Sequence, residues 1–416
     1  MRIGYACLAL GVPGSELKTC TLRNADDQRL AALIAHNLAA LERMVDYNLE
    51  NGIRLYRISS DLIPFSSSPI NTLNWPELFR AEFARIGEKI RSGGMRVSMH
   101  PGQYTVLSAP DEGIAARAAE DLAYHARVLD ALGTGEDSKI ILHLGGAYGD
   151  KAAALDRFEA RFSALGPAVR QRIVLENDDR LYTAEDVLNA ALRMGAPAVF
   201  DNLHHEANPS GPRDARFWID AFRETWKPLD GPQKIHYSQQ APGKKPGSHS
   251  ATIDAGKFME FLDAAGRDDL DIMLEVKDKN LSAIKCGLCA SNERNAPALK
   301  REWARYKYAV MERSQSVYLE IRSLFRKGDV APLAFYALIG RALQLPVEPG
   351  SAVNAAQHVW GYFKNHATGA QQRSFQSALE RFQTGRGTLG AVKRRLYALV
   401  EEYNQPYLKD SYYFWL

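Results

Sequence analysis

Cysteine is scarce: Cys7, Cys20, Cys286 and Cys289 are the only four in 416 residues, too few and too scattered for a disulfide framework. Long apolar runs are missing as well. No window approaches the roughly 18 consecutive apolar residues that a membrane-spanning helix needs. The start, MRIGYACLALGVPG, has one Arg and a short apolar run broken by Gly11-Val12-Pro13-Gly14, without the longer apolar core and small-residue cleavage site of a signal peptide. A soluble, cytoplasmic protein is expected. No G-x-G-x-x-G follows the first apolar run, which counts against a dinucleotide-binding open sheet. Internal repeats at a period of about 20–50 residues are absent too, which argues against a solenoid. The one close cysteine pair, in KCGLC, has no second pair beside it. A zinc site there would need distant ligands, and a structural or redox role is the alternative. Cys7 reads as a small buried hydrophobe on the first strand.

Apolar residues make up 46% and charged residues 24% of the chain, an ordinary balance that supplies a sizeable core. The length suggests two domains, of which one can be a large barrel. Net charge is +3 but unevenly spread: residues 1–299 carry 35 Lys and Arg against 40 Asp and Glu (35 − 40 = −5), residues 300–416 carry 17 against 9 (17 − 9 = +8). The basic tail is either a set of solvated helix faces or a phosphate-facing surface, and charge alone does not choose.

Eight short β-rich runs recur: RIGYA (2–6), IRLYRIS (53–59), MRVSMH (95–100), KIILHL (139–144), RIVLEN (172–177), PAVFDN (197–202), KIHYSQ (234–239) and DIMLEV (271–276). Between them lie stretches such as LAALIAHNLAALERMVDYNLENG, with apolar residues at three-and-four spacing and a Gly at the stop. Eight strand–helix units predict an α/β fold, a closed (β/α)8 TIM barrel over about residues 1–285. Residues 286–299 read as a linker, and 300–416 as a basic, all-helical domain. In that tail His358 and Tyr362 stand at i,i+4, a spacing more often core than site.

In such a barrel the chemistry sits where the strands finish. Here the late strand positions are polar: His100, His143, Glu176-Asn177, Asp201-Asn202 followed by His204 and His205, then Lys234, His236 and Glu275, with His249 in the loop after the seventh strand. One strand histidine is usually a satisfied core residue. Several His, Asp and Glu from different strands at one rim need charge compensation, which divalent metals supply. The mixed His/carboxylate set suits Zn²⁺, Mn²⁺ or Fe²⁺ better than Ca²⁺ or Mg²⁺, and the number of ligands suits two or three ions. Lys234, two residues before His236, faces the same way. It is tolerable there if deprotonated, carbamylated or held by a carboxylate; otherwise it points at a substrate phosphate. His205 reads as a supporting residue, and His125, in a helix, as structural. A multi-metal site suits in-line phosphoryl displacement. In VSMHPGQY, Gln103 and Tyr104 follow the strand end on a loop. An amide and an aromatic plane there could hold open a disrupted base step, or be ordinary loop chemistry.

GYACLAL, LYRISSDLIPF, VSMHPGQYTVLSAP, ILHLGGAYGDK, LENDDRLYTAEDV, VFDNLHHEANP, KIHYSQQ and DIMLEVKDKNLSAIK together resemble, in order, the UV damage endonuclease family. The resemblance implies a TIM barrel related to endonuclease IV with a cluster of three divalent ions, commonly Mn²⁺, with Zn²⁺ and Mg²⁺ as alternatives. It implies damaged double-stranded DNA as the partner, cut immediately 5′ to ultraviolet photoproducts without ATP, leaving a 3′-hydroxyl and a 5′-phosphate. Carried over by motif, the metal ligands are His100, His143, Glu176, Asp201, His204, His236, His249 and Glu275. Lys234 matches a lysine that can be carboxylated at the metals. Glu176, Lys234, His236 and Glu275 are the groups expected to take part in catalysis. Gln103 and Tyr104 are implied to probe the damaged step, with Tyr5 nearby in the groove. Where the family often has Asn shortly after the first Gly-Tyr, this chain has Cys7-Leu8-Ala9-Leu10, so no lesion-binding role is carried over to that loop.

In the tail, KYAVMERSQSVYLEIRSL, NAAQHVWGYFK and QPYLKDSYYF resemble a helical domain of unknown function, which supplies no catalytic residues. A monomer without membrane association is expected. The alternatives are a metal-dependent sugar isomerase of the same barrel class and a non-catalytic damage-binding protein. The first needs fewer histidines and has no use for a basic tail; the second has no use for a full ligand set.

Overall fold

The computed structural model describes residues 1–291, 295–328 and 330–416. The chain divides into two compact units, Met1–Ile253 with Glu260–Gly287, and Asp254–Met259 with Leu288–Leu416.

In the first unit all eight expected strands form: β1 (Arg2–Ala6), β2 (Leu55–Ile58), β3 (Arg96–Met99), β4 (Lys139–His143), β5 (Ile173–Glu176), β6 (Ala198–Asp201), β7 (Lys234–Tyr237) and β8 (Asp271–Leu274). They are parallel and close in sequence order into a barrel, with β1 bonded to both β2 and β8. Each strand lies between the barrel interior and an outer layer of helices, which explains why the strands are buried at nearly every position rather than at alternate ones. Ile140, Ile141, Ile173, Val174 and Leu175 are all fully buried; burial of each such side chain is worth about 1.5–3 kcal/mol.

The helices form for the reasons their periodicity gives. In Asp27–Glu50, Leu30, Leu33, Ile34, Leu38, Leu41 and Val45 make the buried stripe, and Asp26 caps the start by accepting from the Arg29 amide. The helix stops at Asn51, and Gly52 follows with φ 73°, a left-handed turn that glycine makes without strain. At the N-terminal end of the strands, buried Arg96 donates to Asp271 at 2.8 Å and Lys139 pairs with Asp230. This charged plug belongs to stability rather than to chemistry.

Two local expectations change. Cys7 is not within the first strand: it lies one residue past β1, half-buried, with φ 71°. The expected linker is also shorter than 286–299. A helix runs Asn280–Ala290 and carries both Cys286 and Cys289, and the next begins at Ala296; residues 292–294 of the expected linker lie outside the described residues. Among the described residues no metal-competent group includes a cysteine.

The second unit is helical throughout its described residues, with helices at Ala296–Met311, Gln315–Arg326, Pro332–Gln344, Pro349–Trp360, Gly369–Gln383, Leu389–Glu402 and Pro406–Lys409. Its interior is partly ionic. Buried Glu302 accepts from Arg305, Tyr336 and Tyr412, and buried Glu312 accepts from Lys393. His358 and Tyr362 do not share a core face: His358 is exposed and Tyr362 lies beyond the helix end at Trp360.

Candidate metal centre

Strand register sets the site. His143 at the end of β4 is level with Glu176 at the end of β5, and Asp201 at the end of β6 is level with His236 in β7. Past the strand ends, two asparagines continue the ladder with side chains. Asn177 bonds both the amide and the carbonyl of Asp201, and Asn202 does the same to Ser238. These bridges fix the height of the carboxylates. Asp201 also caps the short helix Asn202–Ala207 by accepting from the His204 amide at 2.8 Å, which turns His204 back over the barrel mouth.

Glu176 is the hub and is fully buried. Its Oε1 lies 2.6 Å from His236 Nδ1 and 3.7 Å from His204 Nδ1; its Oε2 lies 3.1 Å from His100 Nε2 and 3.5 Å from His143 Nε2. Glu275 approaches from β8's end, with Oε1 3.3 Å from His236 Nδ1 and Oε2 3.7 Å from His249 Nε2. Three ligand groups share Glu176: His100 and His143; His236 and Glu275; Asp201 and His204. Seven of the eight expected ligands belong to these groups, and His249 joins through Glu275.

The electrostatics match ligands rather than a set of ordinary ion pairs. Burial alone would raise Glu176, but His236 and His143 hold it well below the usual carboxylate range. Glu275 is likewise held low against its burial, by the Arg57 guanidinium and then His236. Asp201 is pushed up by burial and by the negative charge of Glu176 and Glu275, despite His204. His143 is pushed down by burial, toward the neutral form that can ligate. His204 goes the other way: against burial, Asp201 and Glu176 lift it to about 9. Lys234, at the start of β7, is fully buried and pushed well down by burial and then by the Arg96 charge, toward the neutral amine.

The donor inventory calls for cations. His100 donates Nδ1–H to the Pro101 carbonyl at 3.0 Å, which leaves the Nε2 lone pair facing a Glu176 oxygen. Two lone pairs at that distance require a positive charge between them, a shared proton or a metal ion. His204 differs: its Nδ1 donates to the Asn177 carbonyl at 2.9 Å and is also the nitrogen nearest Glu176, 3.7 Å away. The His100 arrangement, one ring nitrogen tied to a carbonyl while the other faces a carboxylate, is how ligating histidines are oriented. Asp201 Oδ2, His143 Nδ1, His236 Nε2 and Lys234 Nζ are buried with no hydrogen-bond partner. Ligation of a divalent ion would satisfy Asp201 Oδ2. The residues fit a divalent metal cluster.

Other predicted residues lie apart. His205 follows His204 by one helical step, about 100° of rotation. It packs between Phe200 and Trp218 instead of facing the carboxylates. His125 bonds the Asp121 carbonyl and Ser60 Oγ, and Ser60 in turn bonds the His100 carbonyl, a structural role. Gln103 and Tyr104 are exposed on the loop after β3, Tyr104 by 71%. Tyr5 is not in a groove. It is fully buried, its ring tilted against Tyr56 at 5.3 Å, with its hydroxyl on Asn48 of the helix Asp27–Glu50. The alternation along β1 turns it toward the outer helices. Arg57, which holds Glu275, was not singled out from sequence. Its signal was an Arg inside the apolar run LYRI.

Comparison with known proteins gives the same direction. The family model for UV-endonuclease UvdE matches residues 1–296, and that for a protein of unknown function, DUF1722, matches residues 307–416. The UV DNA damage endonuclease of Clostridium perfringens is 35% identical over 350 residues, covering 83% of this chain and 84% of its own. That of Bacillus velezensis is 35% identical over 294 residues, covering 68% of this chain and 92% of its own. The crystal structure of SacUVDE superposes with a TM-score of 0.66 at 36% identity, covering 69% of this chain and 96% of its own. Eight strands, the rim that they build and these matches make the chain a member of the UV-endonuclease UvdE family.

Proposed function

We propose that the chain is a metal-dependent endonuclease that incises ultraviolet-damaged duplex DNA immediately 5′ to the photoproduct, leaving a 3′-hydroxyl and a 5′-phosphate. The observation that carries this reading is one fully buried carboxylate, Glu176, shared by three ligand groups. Three ions, with Mn²⁺ the first candidate, would be held by His100, His143, Glu176, Asp201, His204, His236, His249 and Glu275. Bound there, they supply water activation and stabilisation of charge on the phosphate and the leaving oxygen.

The protein's own residues prepare that chemistry. Glu176 holds the three groups at one depth because its two oxygens face different histidines. Arg57 keeps the Glu275 carboxylate anionic and fixed. Burial pushes Lys234 toward the neutral amine, the form that takes up carbon dioxide, and its carbamate would add a further negative oxygen donor below His236. Gln103 and Tyr104, exposed on the loop that follows His100 and part of no ligand group, would enter the damaged base step. The basic helical unit would grip flanking phosphates. The test is a duplex with a single thymine photodimer, end-labelled on the damaged strand. One cut at the phosphodiester 5′ to the lesion, with ends that a polymerase extends directly, supports the reading; cutting elsewhere, or equal cutting of the intact duplex, sinks it.

A further inference from the structure

Two consecutive barrel strands end in the same small device. After β3 the chain reads His100-Pro-Gly102-Gln-Tyr104, and after β4 it reads His143-Leu-Gly-Gly146-Ala-Tyr148. Each begins with a histidine of the Glu176 cluster, and the two rings are 5.2 Å apart. Each ends in a tyrosine laid over the glycine two residues earlier. A Cβ on Gly102 would meet the Tyr104 ring at 2.5 Å, and one on Gly146 would meet the Tyr148 ring at 2.8 Å. Each tyrosine is presented to solvent, Tyr104 by 71% and Tyr148 by 50%.

The two loops are also interlocked. Gly145 has φ 90°, and a Cβ there would strike Val106 at 2.5 Å and Ser108 at 2.7 Å. Ser108 Oγ donates to the Gly146 carbonyl at 3.1 Å. Arg157 donates to the Ser108 carbonyl at 2.9 Å and places its guanidinium 5.9 Å from the Tyr148 ring centre. Tyr148 itself has φ 52°, a left-handed conformation that a bulky aromatic rarely adopts. Glycine stands on either side of this stretch, yet the strained position holds a half-exposed tyrosine. Strain kept at a half-exposed surface position points to a ligand.

We propose that Tyr148 is a second base-contacting tyrosine, the counterpart of Tyr104, which stacks on a nucleobase of the bound duplex. This rests on the reading of the protein as a DNA endonuclease. A rigid pair of aromatic planes on two locked loops, each rooted at a ligand histidine, would set the distance between the opened base step and the phosphate to be cut. Arg157 adds positive charge behind the Tyr148 plane, which favours stacking beside a polyanion.

The experiment measures affinity of the full-length, metal-loaded protein for a hydrolysis-resistant duplex with one thymine photodimer and for its intact twin. Tyr148→Gly removes the ring and fits the left-handed backbone, so its melting temperature should stay close to the parent's. Its affinity for the damaged duplex should fall about 5- to 150-fold, the range for loss of one stacked base. Tyr148→Phe should bind like the parent, and metal content should be unchanged in both. Parental affinity in Tyr148→Gly, or an equal loss on damaged and intact duplex, would overturn the stacking role. Failure of the endonuclease reading would be distinct, because the parent itself would then not prefer the damaged duplex.

Discussion

Replacing Glu176 with Gln keeps the volume of the side chain and removes its charge, so it tests the hub without opening a cavity. In the metal-free protein the fully buried carboxylate faces His236, also fully buried, at 2.6 Å and the partly exposed His100 at 3.1 Å. Hydrogen bonds to charged groups are worth about 1.5–3 kcal/mol. Part of that is offset here by relief of repulsion with Asp201 and Glu275. The chelated variant should therefore be less stable than the chelated parent by no more than about 1.5–3 kcal/mol. The larger effect is on metal. Ions present at 100 times their dissociation constant stabilise the parent by about 2.7 kcal/mol, and Glu176→Gln should lose most of that because all three groups lose a charged ligand. Chelator should then lower the melting temperature of the parent and leave that of the variant nearly unmoved. Incision of a photodimer duplex under single-turnover conditions should fall at least about 10³-fold, the scale of losing a principal electrostatic group. Parental metal content together with a parental incision rate in Glu176→Gln would refute the shared-ligand argument.

Three further outcomes are expected. His204 has its folded pKa raised to about 9 from 6.5. Its protonated form thus stabilises the metal-free protein fully below about pH 6.5, and that contribution is lost as pH rises through about 9. Metal ligation needs the neutral ring, so titration calorimetry in buffers of different ionisation enthalpy should show proton release on metal uptake at pH 7.5 that fades above about pH 9; a buffer-independent heat would contradict this. Gln103→Ala and Tyr104→Ala touch no metal group, and each should keep parental metal content while losing preference for damaged over intact duplex, worth about 1–3 kcal/mol where a stacked base is lost. Exchanging exposed Arg381, Arg386 and Arg394 for Gln should weaken binding to both duplexes alike and make the slope of log affinity against log salt shallower by about 0.9 for each phosphate no longer neutralised; an unchanged slope would assign those arginines to another partner.

The barrel was legible because its signal is repeated eight times and each strand is short, apolar and followed by a periodic helix. The rim was legible for a different reason. A His, Asp or Glu at the end of a buried run has a high cost unless something pairs with it, so His100, Glu176 and Asp201 stood out one by one. What the sequence hid is orientation and partnership. His204 and His205 are neighbours in the chain, but a helix turns them to different sides, and only one reaches Glu176. Tyr5 carries the family motif, yet its partner Asn48 is 43 residues away and draws it under a helix. Cys7 reads as strand because its composition fits, whereas the backbone has already turned left-handed there. Arg57 was hidden by its own strand, since its partner Glu275 lies at the far end of the barrel sequence. Tyr148 was in view within ILHLGGAYGDK, but its kinship with Tyr104 depends on two ring placements that spacing does not reveal.

Whether a metal cluster gathered by Glu176 cuts damaged DNA is decided by nicking of supercoiled plasmid. Irradiated and intact plasmid are each incubated with parent protein that has been stripped by chelator and then given back Mn²⁺. Stripped protein should leave both plasmids intact, and Mn²⁺ should restore nicking of the irradiated plasmid alone. Nicking that persists without metal, or that is equal on intact plasmid, would contradict the metal-cluster reading.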